Sequence, residues 1–235
     1  NPKVIGSGKI DIHAPEIKEA RKAANDIPET HLIKSTERNQ MRGDIANRLI
    51  ADAPADQGRQ LYIVVGPPAS GKSTISDPLA EEFKARIVDS DMAKFKLPEF
   101  KNGIGGPAVH EESDLIMESV LKRSVTNGDN IVLPLVGNDT KKILRMINDA
   151  KKQGYDSHIV FVDLPVVEAA SRAANRFKTQ GRWVDPNYVL SVKDKPSKTY
   201  EAIKGKVKSY AKYSNDVPRG SKPIEIESSE NWGRL

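Results

Sequence analysis

The sequence contains no cysteine among its 235 residues. This absence excludes disulfide bonds, thiolate metal ligands and a cysteine nucleophile. Histidine is also scarce, and the four that occur, His13, His31, His110 and His158, lack the spacing of metal ligands. We therefore expect no structural zinc site.

Long apolar runs are missing as well. None approaches the roughly 20 residues that a membrane-spanning helix needs, and residues 1–4 lack the apolar core of a signal peptide. The hydrophobic content of 37% and the charged content of 29% are typical of globular domains. We expect a cytoplasmic protein with no membrane partner.

The net charge of +5 is concentrated towards the C-terminus. Residues 193–222 contain nine basic and three acidic side chains, with Tyr200, Tyr210 and Tyr213 among them. Such a stretch can bind nucleic acid, or it can be a solvated helix face that attracts an anionic substrate. We favour the helix face, because lysine dominates over arginine and no nucleic-acid-binding motif accompanies it.

A phosphate-binding motif follows the apolar run Leu61–Val65. The segment GPPASGKS at residues 66–73 fits G-x-x-x-x-G-K-[ST]. Its glycines let backbone N–H groups surround phosphate oxygens, and the next helix adds the unpaired N–H groups of its N-terminus. Lys72 is expected to reach the β- and γ-phosphates of ATP, and the Ser73 hydroxyl to bind Mg²⁺. We predict nucleotide contacts at Gly66, Ala69, Ser70, Gly71, Lys72, Ser73 and Thr74.

Short apolar runs alternate with helical patterns from residue 59 onward. Strands are predicted at Leu61–Val65, Arg86–Asp89, Ile131–Val136, His158–Leu164 and Ile224–Ile226. Helices are predicted at Lys72–Phe83, Glu112–Thr126, Thr140–Gln153 and Pro165–Thr179, with Gly154 and Gly181 as helix stops. The alternation predicts a P-loop α/β fold, a parallel sheet flanked by helices, with the ligand beyond the carboxyl ends of the strands.

Residues 1–58 are predicted to form an N-terminal helical extension of a main domain at residues 59–235. Pro15 is expected to begin a short helix that runs to Asn25. Met41, Ile45 and Leu49 are four residues apart and predict one apolar stripe on a second helix. The extension has few large apolar residues, so we expect it to lie on the main domain.

Two carboxylates, Asp89 and Asp91, follow the second predicted strand. Transfer of a phosphoryl group to a hydroxyl needs a positioned carboxylate, and Asp91 is the candidate base. Asp89 is expected to orient Mg²⁺-bound water or to cap the next helix. The alternative is an ordinary acidic turn between a strand and a helix. Asp89 and Lys94 are also candidates for substrate contacts.

Arginine is clustered further along the chain, at Arg172, Arg176 and Arg182. Arginines that fold over a triphosphate stabilise the charge on the transferred phosphoryl group. We assign this role to Arg176 and Arg182, which follow a strand that should end at the nucleotide. The alternative is that they are ordinary surface arginines.

A glycine-rich segment, residues 101–107, is followed by His110, Glu111 and Glu112. It can be a mobile substrate lid, with His110 as a substrate contact, or simply a glycine-rich connection. The sequence does not favour one over the other.

These motifs occur in an order that resembles the zeta-toxin kinases of bacterial toxin-antitoxin systems. The resemblance spans about residues 61–187 and includes GPPASGKST, VDSDMAK and RFKTQGRWVDP. It implies transfer of the ATP γ-phosphate to a hydroxyl of UDP-N-acetylglucosamine, with an antitoxin or immunity protein as partner. It also implies that Asp91 is the catalytic aspartate, that Arg176 and Arg182 clamp the triphosphate, and that Glu118 contacts the sugar.

The chain departs from that family after the third strand. Where zeta toxins have a Glu-Gly-Thr-Gly-Arg type run, this chain has Pro-Leu-Val-Gly-Asn at residues 134–138. An acid and a hydroxyl are thereby replaced by apolar side chains. The resemblance leaves a small-molecule kinase with a hydroxyl acceptor as the leading hypothesis, with the acceptor itself open.

Two other functions are weighed against this kinase. One is a polynucleotide or RNA-directed kinase, which the basic stretch at residues 193–222 would suit, and the other is a nucleotide-binding regulatory module without turnover. The extension at residues 1–58 has two readings as well. It is either a packing element, which we favour, or a built-in equivalent of an antitoxin helix.

Overall fold

The computed structural model describes residues 11–233, so the first ten residues of the predicted extension lie outside the described part of the chain. A six-stranded sheet forms its centre, in the order β2-β3-β1-β4-β5-β6. The strands are β1 (Gln60–Val65), β2 (Arg86–Ile87), β3 (Ile131–Leu135), β4 (Asp156–Asp163), β5 (Ser209–Ser214) and β6 (Ile224–Ser228). Strands β1 to β5 are mutually parallel, and the sequence predicts this pairing for β1 to β4.

The helices are α1 (Pro15–Asn25), α2 (Thr36–Ala51), α3 (Ser73–Glu82), α4 (Ser90–Lys94), α5 (Gly106–Asn127), α6 (Thr140–Lys152), α7 (Val166–Gln180), α8 (Pro186–Val192) and α9 (Lys195–Ile203). Their ends follow local chemistry. Ser35 and Asp139 accept N–H groups of the first turns of α2 and α6, as helix caps do. Gly181 ends α7 in the left-handed conformation at φ 70°, which glycine adopts without a Cβ penalty.

The core lies on both faces of β1. This strand pairs with β3 on one side and β4 on the other, and Ile63, Val64 and Val65 are fully buried. A continuous apolar run is what a strand covered on both faces requires. One face packs with residues of α5, α6 and α9, and the other with α3 and Trp232.

The helices before β1 match their predictions closely. Helix α1 has the predicted bounds, Pro15 to Asn25. On α2, Ile45 is buried, and Met41 and Leu49 pack against the same core cluster. The segment therefore lies on the rest of the molecule, as its low content of large apolar residues predicts. The domain boundary near residue 58 stays a prediction.

The C-terminal strands differ from the expectation in two ways. Strand β6 pairs antiparallel with β5, so parallel pairing is wrong for the predicted strand at Ile224–Ile226. Strand β5 is absent from the strands predicted from the sequence, because its only aliphatic residue is Ala211. In the structure its side chains alternate in burial, with Ser209, Ala211 and Tyr213 facing inward.

Residues 193–222 are only in part the solvated helix face that the sequence favours: Lys195 and Lys198 are exposed on α9, whereas residues 209–214 form β5. Tyr200 and Tyr213 are buried, at 0% and 5% exposure, so they are core residues and not platforms for nucleic-acid bases. Lys204 bonds the Glu227 carboxylate at 3.0 Å, and Lys208 bonds that of Asp156 at 2.9 Å. These two lysines therefore stabilise the edge of the sheet.

Candidate active site

The phosphate-binding loop joins β1 to α3 in the predicted place. A Cβ on Gly66 would lie 2.7 Å from both the Ser70 hydroxyl and the Val162 carbonyl oxygen, so only glycine fits there. Asn215, at the end of β5, donates its amide N–H to the Ser70 carbonyl oxygen at 2.7 Å. The loop is thus fixed by the strand that sequence reasoning missed.

Lys72 lies across this loop. Its Nζ donates to the carbonyl oxygens of Gly66 at 3.0 Å and Pro67 at 2.9 Å. Burial lowers the pKa of Lys72 to about 8; the charges of Asp89 and Asp91 oppose this shift, and that of Arg176 adds to it. The ammonium group is therefore poorly compensated, which suits a site that receives an anion.

The loop fits a triphosphate in two further respects. The Ser70 hydroxyl is buried and finds no hydrogen-bond partner within residues 11–233, and Gly71 takes a positive φ of 81°, a conformation that aims loop N–H groups inward. Ser73, the first residue of α3, is exposed at the loop mouth. No group of acidic or histidine side chains in the described range could hold a metal by itself, so Mg²⁺ would need phosphate oxygens besides Ser73.

Asp89 lies between β2 and α4, and Asp91 lies in the first turn of α4. Asp89 accepts the backbone N–H of Asp91 at 3.0 Å and so caps α4, one of its two predicted roles. Burial and the charge of Asp91 raise the pKa of Asp89. Burial acts to raise the pKa of Asp91 too, but Lys94 and Arg182 outweigh it and hold that pKa below its usual value.

Of the two candidate arginines, Arg182 contacts Asp91 and Arg176 is influenced by its charge. Arg182 forms an ion pair with Asp91 from the loop after α7, and Lys94 lies 3.4 Å away on the other side. Burial and the charge of Arg182 lower the pKa of Arg176, while Asp91 raises it. Lys72, Asp91, Arg176 and Arg182 therefore share one electrostatic environment.

Arg172 has a different place. It bonds the Glu168 carboxylate at 3.3 Å and the carbonyl oxygen of Asn215 at 3.1 Å. It thereby holds the chain that follows β5, next to the residue that fixes the phosphate-binding loop. Its role is structural, although it lies one helical turn from Arg176.

A carboxylate that sequence reasoning missed lies beside Ser90, the residue before Asp91. The Ser90 hydroxyl donates to Asp114 at 2.5 Å, and His110 lies 3.5 Å from the same carboxylate. Glu118, the predicted sugar contact, is exposed one turn further along α5. The spacing of His110, Asp114 and Glu118 at four-residue intervals could have identified Asp114 as their neighbour on one helix face.

Tyr188 lies close enough to Asp114 to feel its charge. Burial and the negative charge of Asp114 raise its pKa, and a hydrogen bond with Asn138 lowers it. Tyr188 is 44% exposed. The Pro-Leu-Val-Gly-Asn segment thus brings Asn138 close to Tyr188.

The glycine-rich segment at residues 101–107 is packed in a way that accounts for its glycines. The backbone runs through a 3₁₀ turn at Pro98–Gly103 and enters α5 at Gly106. A Cβ on Gly105 would lie 1.7 Å from the carbonyl oxygen of Glu99. The glycines thus permit close backbone contact, as the connection hypothesis requires; whether the segment moves as a lid stays a prediction.

Comparison with known proteins agrees with this geometry. The zeta toxin family model matches residues 46–216, more than half of the chain, and the chain therefore belongs to the zeta toxin family. None of the curated proteins compared matches the sequence. Within residues 11–233, no helix combines the length and apolarity needed to span a bilayer.

Two solved systems are similar in structure. A chain from the PezAT toxin-antitoxin system of Streptococcus pneumoniae has a TM-score of 0.64 at 11% identity, covering 86% of this chain and 84% of that one. The AvrRxo1-ORF1:ORF2 complex, solved with ATP, has a TM-score of 0.64 at 14% identity, covering 96% and 75%. These likenesses show the fold, the P-loop kinase fold predicted from the sequence. Family and fold together support a phosphotransferase that binds ATP.

Proposed function

We propose that this zeta toxin family member is a kinase that transfers the γ-phosphate of ATP to a hydroxyl of a nucleotide sugar, such as UDP-N-acetylglucosamine, or of a related metabolite. ATP binds at residues 66–74, with Lys72 at its β- and γ-phosphates. Mg²⁺ at the Ser73 hydroxyl supplies charge neutralisation between the phosphates. Asp91 receives the proton of the acceptor hydroxyl.

One observation carries this proposal: Asp91 is held by Arg182 and Lys94, close enough to the phosphate-binding loop for its charge to act on Lys72. The two cations keep its pKa low, so the carboxylate is ionised at neutral pH and accepts the proton only as the hydroxyl oxygen bonds to phosphorus and its proton becomes acidic. As the hydroxyl oxygen bonds to the γ-phosphorus, its proton passes to Asp91 and the bond to the ADP oxygen breaks. Lys72, Arg176 and Arg182 stabilise the charge of the transferred group.

The acceptor is proposed to lie between α4, α5 and α8. Asp114 can accept hydrogen bonds from acceptor hydroxyls, and Tyr188 and Asn138 offer a ring face and an amide beside it. These groups suit a polar, hydroxyl-bearing ligand. Because the segment after β3 has apolar side chains where zeta toxins have an acid and a hydroxyl, the acceptor can differ from UDP-N-acetylglucosamine.

We also propose a partner of the antitoxin or immunity type. The PezAT system is described as a toxin-antitoxin system, and AvrRxo1-ORF1 is solved in complex with ORF2. A kinase that modifies an essential metabolite needs such a partner to restrain it. Its presence here is tested by co-purification with a neighbouring gene product.

The test is direct detection of the phosphorylated product. The protein is incubated with ATP and Mg²⁺, once with UDP-N-acetylglucosamine and once with a metabolite extract, and new phosphate esters are detected by mass spectrometry. Asp91→Asn should make less product by about 10² to 10⁴-fold, the usual contribution of a general base, while still binding ATP. Product from neither mixture, despite ATP binding, would favour a regulatory module.

A further inference from the structure

Helix α1 contacts the loop that carries Arg182, residues 181–185, here called the Arg182 loop. Arg21 bonds Asp185 through two parallel contacts, from Nε to Oδ2 at 2.8 Å and from Nη2 to Oδ1 at 3.0 Å. Asp185 also accepts the backbone N–H of Asn187 at 2.9 Å and so begins α8. Arg182 lies only three residues before Asp185. Helix α1 therefore fixes the far end of the Arg182 loop.

The residue next to Arg182 is anchored on the same helix. Trp183 is 2% exposed and belongs to a buried cluster with Ile12 and Ile17. Its ring meets that of Phe177 edge to face, with the centroids 5.3 Å apart. The side chain that follows Arg182 is thus held between α1 and α7.

Helix α2 reaches the loop from the opposite side through Glu99. Arg38 donates to the two Glu99 carboxylate oxygens, each at 2.9 Å. The same guanidinium bonds Glu112 at 2.9 and 2.5 Å, and Glu112 is fully buried. A buried carboxylate with bidentate arginine contacts is a rigid anchor, so Glu99 is attached to a fixed point.

The segment that contains Glu99 lies directly against the backbone of Arg182. The Gly103 carbonyl oxygen accepts the N–H of Trp183 at 3.2 Å. A Cβ on Gly103 would lie 2.7 Å from the Arg182 Cα. With no space between the two backbones, a shift of residues 98–103 must displace Arg182.

We propose that Arg21 and the Arg38–Glu99 pair are positioning residues, through which α1 and α2 hold Arg182 beside Asp91. This inference rests on the proposed role of Arg182 in phosphoryl transfer. The helices before β1 are then part of the catalytic framework of this chain, and they support activity instead of inhibiting it.

The test compares Arg21→Gln and Glu99→Gln with Glu16→Gln as the matched control. Glu16 bonds Lys178 at 3.0 Å, so it joins α1 to α7 without touching the Arg182 loop. Hydrolysis of Mg·ATP by water serves as the probe reaction. We expect kcat to fall about 10-fold or more in the two loop variants, since a displacement of about 1 Å can cost about 100-fold. The KM for ATP of the two loop variants should stay near that of the parent, and so should the kcat of Glu16→Gln.

A pH profile separates positioning from stability. The charged groups around Asp91 are Lys72, Asp89, Lys94, Arg176 and Arg182. If Arg182 withdraws, Asp91 loses a cation, and the acid limb of kcat against pH should move to higher pH in both loop variants. Arg21→Lys, which keeps the charge, should restore part of the rate.

Hydrogen exchange tests the same idea without turnover. The Trp183 amide should exchange faster in Arg21→Gln and Glu99→Gln than in Glu16→Gln. If the parent hydrolyses no ATP with water, the proposed transfer to a hydroxyl is decided by the product assay, and this exchange rate alone decides the inference. An unchanged kcat in both loop variants, an equal loss in Glu16→Gln, or unchanged Trp183 exchange would overturn it.

Discussion

Arg182 and Asp91 are joined by an ion pair, and the charge of Asp91 also acts on Lys72 of the phosphate-binding loop. The same guanidinium lies over the ring of Phe95, 5.5 Å from its centroid. The arginine is therefore oriented from two sides before any nucleotide binds. Preorganised charge of this kind needs little rearrangement when the transferred group becomes negative.

Arg182→Gln should lower kcat by about 10³-fold or more, the range found for arginines that stabilise phosphoryl transfer. It should also raise the pKa of Asp91, because that pKa is held down by Lys94 and Arg182. The acid limb of the rate profile then moves to higher pH, measured by initial rates of ADP release. Arg145→Gln, on the exposed side of α6, is the control and should change neither quantity.

Much of this site could be predicted because its residues are adjacent in sequence. The loop motif placed Lys72 and Ser73, and the position of Asp91 after a strand placed it at the carboxyl edge of the sheet. Parallel pairing brings such ends together. The contact between Asp91 and Arg182 spans 91 residues, and the sequence predicted each residue for the site without predicting that they touch.

Other features could not be predicted, because they depend on partners that are distant in sequence. Asn215 supports the phosphate-binding loop from a strand with little apolar character, and that strand exists because β4 and β6 pair with its two edges. Arg38 and Glu112 are charged residues, which are usually exposed, and only their pairing permits burial. The amino-acid composition does not show which charged residues form such pairs.

Binding of ATP should take up a proton at alkaline pH. Burial gives Lys72 a pKa of about 8 in the free protein, so above pH 8 it is mostly neutral, and the bound phosphates should restore its proton. Calorimetry at pH 9 in buffers of different ionisation enthalpy should then show uptake of about one proton per ATP. ATP affinity should weaken from pH 8 to pH 10, and an affinity that is constant over this range would contradict the assignment.

Arg86→Met should destabilise the fold by about 3–5 kcal/mol, the cost of leaving a buried charge without its partner. Arg86 is 4% exposed and bonds Asp129, itself 5% exposed, at 2.5 Å. Urea unfolding measures the loss, and Arg86→Met combined with Asp129→Leu should recover part of it. Lys152→Met removes an exposed pair with Asp149 and should change stability by less than about 1 kcal/mol.

His158 should make the fold sensitive to mild acid. Burial lowers its pKa to about 4, while Nδ1 lies 2.5 Å from the Ser209 hydroxyl and Nε2 lies 2.8 Å from the Gln60 amide oxygen. The unfolded chain, with a histidine pKa of about 6.5, binds the proton first as pH falls. The contribution of neutral His158 to the free energy of unfolding is therefore fully present above pH 7. Protonation of this histidine in the unfolded chain should lower that free energy by about 2 kcal/mol between pH 7 and pH 5. Denaturant unfolding at several pH values measures it. His158→Gln should be less stable at pH 7 but should lack this slope, and an equal slope in both proteins would show that other groups cause it.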